Sequence, residues 1–565
     1  MLRAAMKART GNGHISLCIL LLALAGAVGA RAQDADSAPY RRALEAGVRS
    51  GAYHAVAAGW LDRDARASWF FGGDDKPDAG SAFELGAVSE VFTGVLLARA
   101  AAEGRVRFAT PVRELLPDDF VVADPALGAL PLVDLATHRA GLPALPPNLM
   151  PEDPADPYAG YDELDLAALL ANYRRDGPPP ASAYSPLDAG LLGYLLGRRY
   201  GTSYAQALEE QVLKPLGLRH TGVDDDPALR TGHAAGTVAP HWHFGVLAGA
   251  AGLRSTLGDL MDFLAANLHP PASPLRAALL LARQPRESRG PQTAGLSWYL
   301  VEATADGQTW PIVWRASVTA GFAAFLGFRT DRQQALVLLG DSDADLAPLG
   351  LAWLKHEAAP PPPPAAVAPA TIDLAAYPGL YQVRDGPAVI VRANAGTLTA
   401  QWQGAPPTPL RALGEDVFAP RDDAFVLSFQ REAGVVTSAV ASRNGVHVLA
   451  QRLSRQAPRL ARGTLALAPE RLHDYTGDYR VDADTLARIS VRDDRLRLQL
   501  SGQAAIALAP YAPDRFAADD GSCEASFARD ARGAVTAVRV DFAGIERIAP
   551  RTRWPVPTFR AVSRR

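Results

Sequence analysis

Residues 83–102 read FELGAVSEVFTGVLLARAAA and lie near the start of a chain of 565 residues. From Val88 onward the apolar side chains recur at helical spacing, which places Val88, Phe92, Leu96 and Leu97 on one face. The spacing predicts an amphipathic helix from Val88 to Ala102.

Short apolar segments on both sides of this helix have the pattern of β-strands. His54 to Trp60 and Ala67 to Phe71 are predicted to form a hairpin, and three more strands are predicted at Ile312–Val318, Phe322–Phe328 and Ala335–Leu339. Further helices are predicted at Leu187–Tyr200, Tyr204–Leu213 and Leu346–His356. Strands at both ends with helices between them predict an α/β (α+β) region whose antiparallel sheet joins the two ends of that region.

Five consecutive prolines at 360–364 separate this region from a second one without a convincing helical period. Polyproline is stiff and extended, so residues 358–370 are interpreted as an interdomain spacer that buries nothing. Single domains rarely exceed about 300 residues, which agrees with a division of the chain at this point.

The second region contains an internal duplication. The pattern L-x-x-Y-x-G-x-Y begins at Leu374 and again at Leu472, 98 positions later. At the same offset Tyr377, Tyr381, Phe418 and Phe429 pair with aromatic residues of the same type, at Tyr475, Tyr479, Phe516 and Phe527. Each copy consists of short alternating strands, so two tandem small antiparallel β-barrel-like domains are predicted. The repeated tyrosines are interpreted as structural residues that close each barrel.

The N-terminus has the pattern of a signal peptide. Basic residues precede an uncharged apolar run from Ile15 to Ala30, and Ala30-Arg31-Ala32 fits a small-x-small cleavage site. An uncleaved anchor is the alternative, but the run is short for a membrane span. We expect a periplasmic or secreted protein whose mature form keeps only Cys523 and has no internal disulfide. The formal net charge of −3 does not favour nucleic acid as a partner.

Five ordered segments resemble the class C β-lactamase and D-alanyl-D-alanine carboxypeptidase-like family, part of the serine β-lactamase and penicillin-binding-protein family. The segment Thr137-His-Arg-Ala-Gly-Leu-Pro143 resembles its T-H-x-x-G-L-P motif. Four further matches are Phe83-Glu-Leu-Gly86, Phe92-Thr93, Lys214-Pro-Leu-Gly-Leu218 and Ala251-Gly-Leu-Arg-Ser-Thr256. The resemblance implies a β-lactamase/transpeptidase-like fold with a helical subdomain over the first region, and the C-terminal pair is similar to β-barrel domains often appended to this family.

The same resemblance implies three catalytic motifs, and each is altered here. The S-x-x-K motif reads Ala87-Val-Ser-Glu90, so an alanine replaces the nucleophile and a carboxylate replaces the lysine. The Y-x-N motif reads Tyr184-Ser-Pro186 and lacks the side-chain amide. The K/H-x-G motif reads Arg315-Ala-Ser317, which keeps a cation but places a side chain where the family has glycine.

Three other places in the sequence are candidates for catalysis or metal binding. Ser89 lies about 200° from Ala87 around a helix, so it is predicted to face away from the pocket and bond to nearby backbone. His220-Thr-Gly is interpreted as part of the loop after the Lys214 segment. His241 and His243 would share a face of a strand and could bind zinc or copper, but a plain loop lining the cleft is favoured, and no metal or cofactor is expected.

We therefore expect no intact catalytic residue and a candidate cleft formed by Glu90, Tyr184, Arg315 and Ser317. Glu90 and Arg315 are predicted to form an ion pair across the former pocket. The leading hypothesis is a pseudoenzyme with a binding or scaffolding role, whose ligand is a cell-wall peptide, a small carboxylate or a protein partner. Two alternatives remain: non-acylating hydrolysis of esters, amides or D-amino-acid peptides by water that Glu90 activates near Tyr184, and ligand binding by the tandem β-domains.

The predicted segments are a signal peptide at 1–32, a β-lactamase-like domain at 33–357, a linker at 358–370 and β-repeats at 371–460 and 461–565.

Overall fold

The structure is a computed structural model. It describes residues 37–63, 65–175, 184–223, 226–234, 237–286, 293–305, 308–363, 372–383, 387–394, 397–403, 405, 407–420, 425–443, 446–455, 465, 467–542 and 545–552. The signal-peptide and cleavage predictions lie outside these residues. None of the helices in this described part is both long and apolar enough to cross a membrane.

The described residues of the first region form eleven strands: β1 Val56–Asp62, β2 Ala65–Phe71, β3 Ala82–Glu84, β4 Gly232–Ala234, β5 Thr237–Ala239, β6 Arg254–Thr256, β7 Thr293–Ala294, β8 Tyr299–Ala305, β9 Gln308–Val318, β10 Ala323–Arg329 and β11 Gln334–Gly340. Its helices are α1 at 37–50, α2 Ser89–Ala102, α3 Pro125–Gly128, α4 Leu132–Ala136, α5 Glu163–Asn172, α6 Pro186–Tyr200, α7 Tyr204–Leu208, α8 Lys214–Leu216, α9 Ala248–Ala251, α10 Leu257–Leu268, α11 Leu275–Ala282 and α12 Ala347–Lys355.

A seven-stranded antiparallel sheet in the order β2-β1-β11-β10-β9-β8-β7 forms the centre of this region. The predicted hairpin and the predicted late strands are all present, and β1 pairs with β11 from Val56–Gly340 to Asp62–Gln334. The prediction that one sheet joins the two ends of the region is therefore confirmed.

Both faces of the sheet are covered by helices. Side chains alternate across a strand, so Ala324, Leu326 and Phe328 of β10 face a core shared with α2 and α10. The intervening Phe325 packs on the opposite face with Trp353 of α12 and residues of α1. The sheet thus has two cores, and α2 lies in the larger one.

The prolines that begin the spacer do not stand free. Pro360, Pro362 and Pro363 are half-buried and line a shallow groove with Tyr53 and Leu349. The prediction that this spacer buries nothing is wrong for Pro360, Pro362 and Pro363, because extended proline rings present an apolar edge that packs on α1 and α12, whereas Pro361 is exposed. Residues 364–371 lie outside the described part.

Two closed barrels of eight antiparallel strands follow. The first contains β12 Gly379–Val383, β13 Ala388–Asn394, β14 Thr397–Trp402, β15 Thr408–Gly414, β16 Val417–Ala419, β17 Val426–Glu432, β18 Val435–Arg443 and β19 Val446–Ser454. After helix α13, Pro469–Leu472, the second contains β20 Gly477–Arg480, β21 Leu486–Arg492, β22 Arg495–Leu500, β23 Ile506–Ala512, β24 Arg515–Ala518, β25 Glu524–Arg529, β26 Val535–Phe542 and β27 Ile545–Thr552.

The repeated tyrosines hold equivalent places in the two barrels. Tyr381 donates its hydroxyl to the carbonyl of Tyr377 at 2.6 Å, and Tyr479 donates to the carbonyl of Tyr475 at 2.7 Å. The rings of the first tyrosine in each repeat pack on Phe418 and Phe429, or on their counterparts 98 positions later. These contacts agree with the predicted duplication and the structural role of the tyrosines.

The close approach of α2 to the segment before β8 gives a test of this packing. A β-carbon at Gly94 would overlap with the carbonyl oxygen of Leu296, so we expect Gly94→Ala to destabilise the protein by about 1–3 kcal/mol despite the better helix propensity of alanine. Chemical denaturation measures the change. Gly73→Ala is the control, because no atom lies within 4 Å of the added methyl group and a stabilising change of up to about 1 kcal/mol is expected there. Equal effects at the two positions would contradict this packing.

Candidate functional site

The site lies where the first turn of α2 meets strand β9. Strand β3 pairs with β6, and Gly86 then turns the chain with a φ of 51° into a single 3-10 turn before α2 begins at Ser89. A β-carbon at Gly86 would overlap with the hydroxyl of Ser317 on β9. The positive φ and the close approach together require glycine here, and they hold Ala87 directly against β9.

At this turn, the side chain of Ser317 satisfies the backbone amide of Ala87. Its hydroxyl oxygen accepts a hydrogen bond from the backbone N–H of Ala87 at 2.7 Å. Free amides at the start of a helix bind anions and developing negative charge. Here that donor is already satisfied by a side chain of the same molecule.

The predicted ion pair between Glu90 and Arg315 is present. Arg315 donates from Nη2 to Oε2 of Glu90, and both side chains are buried, with exposures of 2% and 0%. The Nε of Arg315 also donates to the carbonyl of Ala87 at 3.3 Å. The guanidinium lies 5.2 Å from the ring centre of Tyr184 and 4.5 Å from that of Tyr299, distances suited to cation–π attraction.

Two more side chains complete the set of contacts to Glu90. Tyr184 donates its hydroxyl to Oε1 at 2.9 Å, and Nε2 of His138 lies 3.0 Å from Oε2. Nδ1 of His138 faces the carbonyl oxygen of Ser185 at 3.0 Å. Both partners of His138 are oxygen acceptors, so the ring lies between the Glu90 carboxylate and the backbone before α6.

Although its ring is partly exposed, Tyr184 directs its hydroxyl inward at Glu90, and desolvation of that hydroxyl raises the pKa of Tyr184 well above its ordinary value; the Glu90 carboxylate raises it further. Tyr184 therefore stays neutral and donates its proton. Burial is the largest single effect on Arg315 and acts to lower its pKa, but the Glu90 carboxylate together with Tyr184 and Tyr299 outweighs burial, and the net pKa is raised. The site consequently holds one carboxylate with a permanent cation and a neutral phenol.

Pro186 has a structural place at the start of α6. It is the first helical residue, and the hydroxyl of Ser185 accepts a hydrogen bond from the amide of Asp188 at 3.4 Å. Serine before a helix followed by proline at the first position is a favourable start. This position therefore contributes helix initiation and offers no polar group to the site.

The sequence marks His138 only as part of the Thr137–Pro143 segment and does not predict its contact with Glu90. Its backbone φ is 52°, a left-handed conformation that non-glycine residues seldom adopt. The ring reaches Glu90 because α4 ends at Ala136 and the chain then turns back across α2. The motif match marked the residue, but only the fold brings it to the carboxylate.

The other serine and histidine candidates lie elsewhere. Ser89 is buried and its hydroxyl accepts from the amide of Leu253 at 3.0 Å; the partner is a backbone amide, but one distant in sequence and not the local backbone predicted from the sequence. Thr221, next to His220, donates to Asp259 at 2.8 Å in the predicted loop. His241 and His243 face different carboxylates, Glu84 at 3.2 Å and Asp156 at 2.6 Å, so these two rings do not converge on one ion.

The buried pair makes a stability prediction. Glu90→Gln removes the countercharge of Arg315, and Arg315→Met removes that of Glu90, so each change is expected to cost about 3–5 kcal/mol in chemical denaturation. The double variant should cost clearly less than the sum. Asp262→Asn, which breaks the exposed pair with Arg66, is the control and should cost at most about 1 kcal/mol. Additive effects of the two buried changes would contradict the pairing.

A second prediction concerns Asp188, in the first turn of α6. Burial raises its pKa well above the ordinary value, against the effect of the Ala140 amide, and the Glu90 carboxylate raises it further. The folded chain then keeps a proton that the unfolded chain releases above about pH 4. Stability is therefore lost as the pH rises from about 4 toward the folded-state pKa, by up to ~1.4 kcal/mol per pH unit.

Asp188→Asn removes this loss. We expect the variant to gain stability relative to the natural protein between pH 4 and 7, measured by urea unfolding at each pH. Parallel stability profiles for the two proteins would show that Asp188 is ionised in the folded state.

Comparisons with known proteins agree with this architecture. The family model described as Beta-lactamase matches residues 40–376, and a domain of unknown function (DUF3471) matches residues 462–550, within the second barrel region. A β-lactamase of Escherichia coli (strain K12) is 29% identical over 239 residues, which cover 41% of this chain and 58% of that protein. A β-lactamase of Pseudomonas fluorescens is 24% identical over 305 residues, or 46% of this chain and 79% of that protein.

The D-alanyl-D-alanine-carboxypeptidase/endopeptidase AmpH of Escherichia coli (strain K12) is 27% identical over 199 residues, which cover 34% of this chain and 50% of that protein. The crystal structure of a β-lactamase/D-alanine carboxypeptidase from Pseudomonas syringae aligns with a TM-score of 0.48 and 20% identity, over 55% of this chain and 94% of that chain. Because the β-lactamase family model matches more than half of its residues, this chain belongs to the serine β-lactamase and penicillin-binding-protein-like family.

Proposed function

We propose that this chain is a non-acylating member of its family and that it acts by binding rather than by hydrolysis. The observation that carries the proposal is the closed network around Glu90 at the motif position where the family resemblance expects a lysine. The network joins Arg315, His138 and Tyr184 to one buried carboxylate. The family's lysine, which takes up the proton of the nucleophile, has no counterpart among these side chains.

The covalent step of this family needs an oxygen nucleophile next to a base. Ala87 has no such atom, and the hydroxyl of Ser89 is buried and bonded to the amide of Leu253. The hydroxyl of Ser317 is bonded to the amide of Ala87, a donor that a substrate carbonyl would otherwise use. Within the described residues, neither hydroxyl is poised against a base.

Hydrolysis by water that Glu90 activates is the weaker alternative. A general base needs a lone pair directed at a water molecule beside the substrate. Glu90 is fully buried, Oε1 accepts from Tyr184, and Oε2 lies against Arg315 and His138. The carboxylate thus serves as the centre of a structural network.

The outer part of the cleft retains surface for a ligand. Tyr184 is 44% exposed, and Ser317, which shares a face of β9 with Arg315, is partly exposed, while the charge of Arg315 is neutralised beside them. This surface favours an uncharged part of a cell-wall peptide or a protein partner over a small carboxylate. Export by the N-terminal signal and a binding contribution from the two barrels are further parts of the proposal.

The test combines adduct detection with turnover. The full chain is incubated with a labelled penicillin, a fluorophosphonate and a panel of ester and D-amino-acid peptide substrates, and it is examined by intact mass and by product release. We expect no adduct and background turnover, with the Escherichia coli β-lactamase as positive control. An adduct on the first domain would overturn the proposal, and turnover without adduct that Glu90→Gln abolishes would establish the alternative.

Binding is measured separately with the same protein. A peptide ending in D-alanyl-D-alanine with an amidated C-terminus is titrated while the intrinsic fluorescence is followed, and Tyr184→Ala is the cleft variant. We expect saturable binding that the variant weakens at least tenfold. Saturable binding that is unchanged in Tyr184→Ala would place the ligand site outside the cleft. No saturable binding would remove the cell-wall peptide as the proposed ligand.

A further inference from the structure

Two histidines and an aspartate from distant parts of the sequence meet at one end of the central sheet. His54 lies just before β1, Asp341 lies just after β11, and His233 lies in β4. The pairing of β1 with β11 brings the first two together, and the amide of His233 donates to the carbonyl of Asp341 at 3.0 Å. One nitrogen or oxygen atom from each of the three side chains lies within 4.8 Å of the others.

The hydrogen bonds of both rings fix which nitrogen carries the proton. Nδ1 of His54 lies 3.1 Å from both carboxylate oxygens of Asp341, and Nδ1 of His233 lies 3.1 Å from the carbonyl oxygen of Asp341. Carboxylate and carbonyl oxygens only accept, so both neutral rings carry their proton on Nδ1. Both Nε2 atoms therefore present a free lone pair.

These two lone pairs are accessible and unused. The His54 side chain is 37% exposed, and His233 is partly exposed. Across the part of the chain that the structure describes, neither Nε2 has a hydrogen-bond partner. The two rings stack with centroids 3.7 Å apart and planes inclined by 23°, so their in-plane lone pairs run side by side and at least one ring must turn before both Nε2 atoms face one ion.

Asp341 is suited to hold the rings from behind. It is fully buried, and it also accepts from the amide of Ala55 at 2.8 Å and from Nε of Arg230 at 2.8 Å. Arg230 also forms an ion pair with Asp75, so the negative charges of Asp341 and Asp75 together exceed the single positive charge of Arg230. A histidine that binds a metal through one nitrogen commonly donates the other N–H to a carboxylate or a backbone carbonyl, and His54 and His233 show one case of each.

We propose that His54 and His233 bind one divalent transition-metal ion through their Nε2 atoms, with Asp341 orienting both rings. Imidazole nitrogen selects ions such as Zn²⁺ and Cu²⁺ over Mg²⁺ and Ca²⁺, which prefer oxygen. Binding opens the stack, because a metal ion lies in the plane of each ring that binds it. Water completes the coordination. This site is separate from Glu90 and Arg315, and it does not depend on the proposed function.

The test is a titration of the full chain with ZnCl₂ and with CuCl₂, followed by calorimetry, with MgCl₂ as a negative probe. We expect one saturable site of micromolar affinity for Zn²⁺ or Cu²⁺. His54→Gln and His233→Gln should each weaken binding at least tenfold. His243→Gln is the matched control, because this partly exposed histidine contacts a different carboxylate, and its affinity should equal that of the natural protein.

Circular dichroism and thermal unfolding confirm that each variant is folded, and a rise in Tm on adding Zn²⁺ provides a second readout. The rise should be present in His243→Gln and absent in the double variant of His54 and His233. Saturable binding that survives in that double variant, or no binding below about 1 mM by the natural protein, would overturn the proposal.

Discussion

A charge removed from water must be paired, and Glu90 is the clearest case of this constraint in the molecule. Its carboxylate joins α2 to β9 through Arg315, to the turn after α4 through His138, and to the segment before α6 through Tyr184. Without partners, a buried carboxylate costs several kcal/mol. The relative positions of these four segments are therefore coupled through one side chain. Nearby, the hydroxyl of Ser317 likewise satisfies the backbone amide of Ala87.

The two barrels add a second set of buried polar contacts. Gln401 on the first barrel donates to the carbonyl of Ser522 on the second at 2.6 Å, and Arg392 donates to Gln401 at 2.7 Å. The second barrel in turn contacts the first region, where Gly502 donates to the carbonyl of Leu149 at 2.8 Å. Gln401 has a counterpart 98 positions later in Gln499, which donates to the carbonyl of Pro151 in the first region at 2.9 Å. The same position of the two repeats thus attaches each barrel to a different neighbour.

Periodicity and motif order predicted most of this fold. Alternating strands, the helix at α2 and the 98-residue duplication were all evident, because each depends on side chains near one another in sequence or on a repeated pattern. The Glu90–Arg315 pair was predictable because two motif positions of a known fold face one cleft. Two other contacts, that of His138 with Glu90 and that of Ser317 with Ala87, could not be predicted. They depend on the backbone turns at His138 and Gly86, which sequence spacing does not specify. The half-buried prolines were missed for a related reason: composition describes a segment alone and says nothing about the surface beside it.

The pairing of β1 with β11 has a consequence for the order in which the chain acquires structure. Val56 and Gly340 are neighbours in the sheet, although nearly the whole first region separates them in sequence. A central strand pair of this kind closes a very long loop, whose entropy opposes its formation. Each barrel instead consists largely of contacts between successive strands. Each barrel therefore closes through shorter loops, whereas the first region must bring its two distant ends together before its sheet is complete.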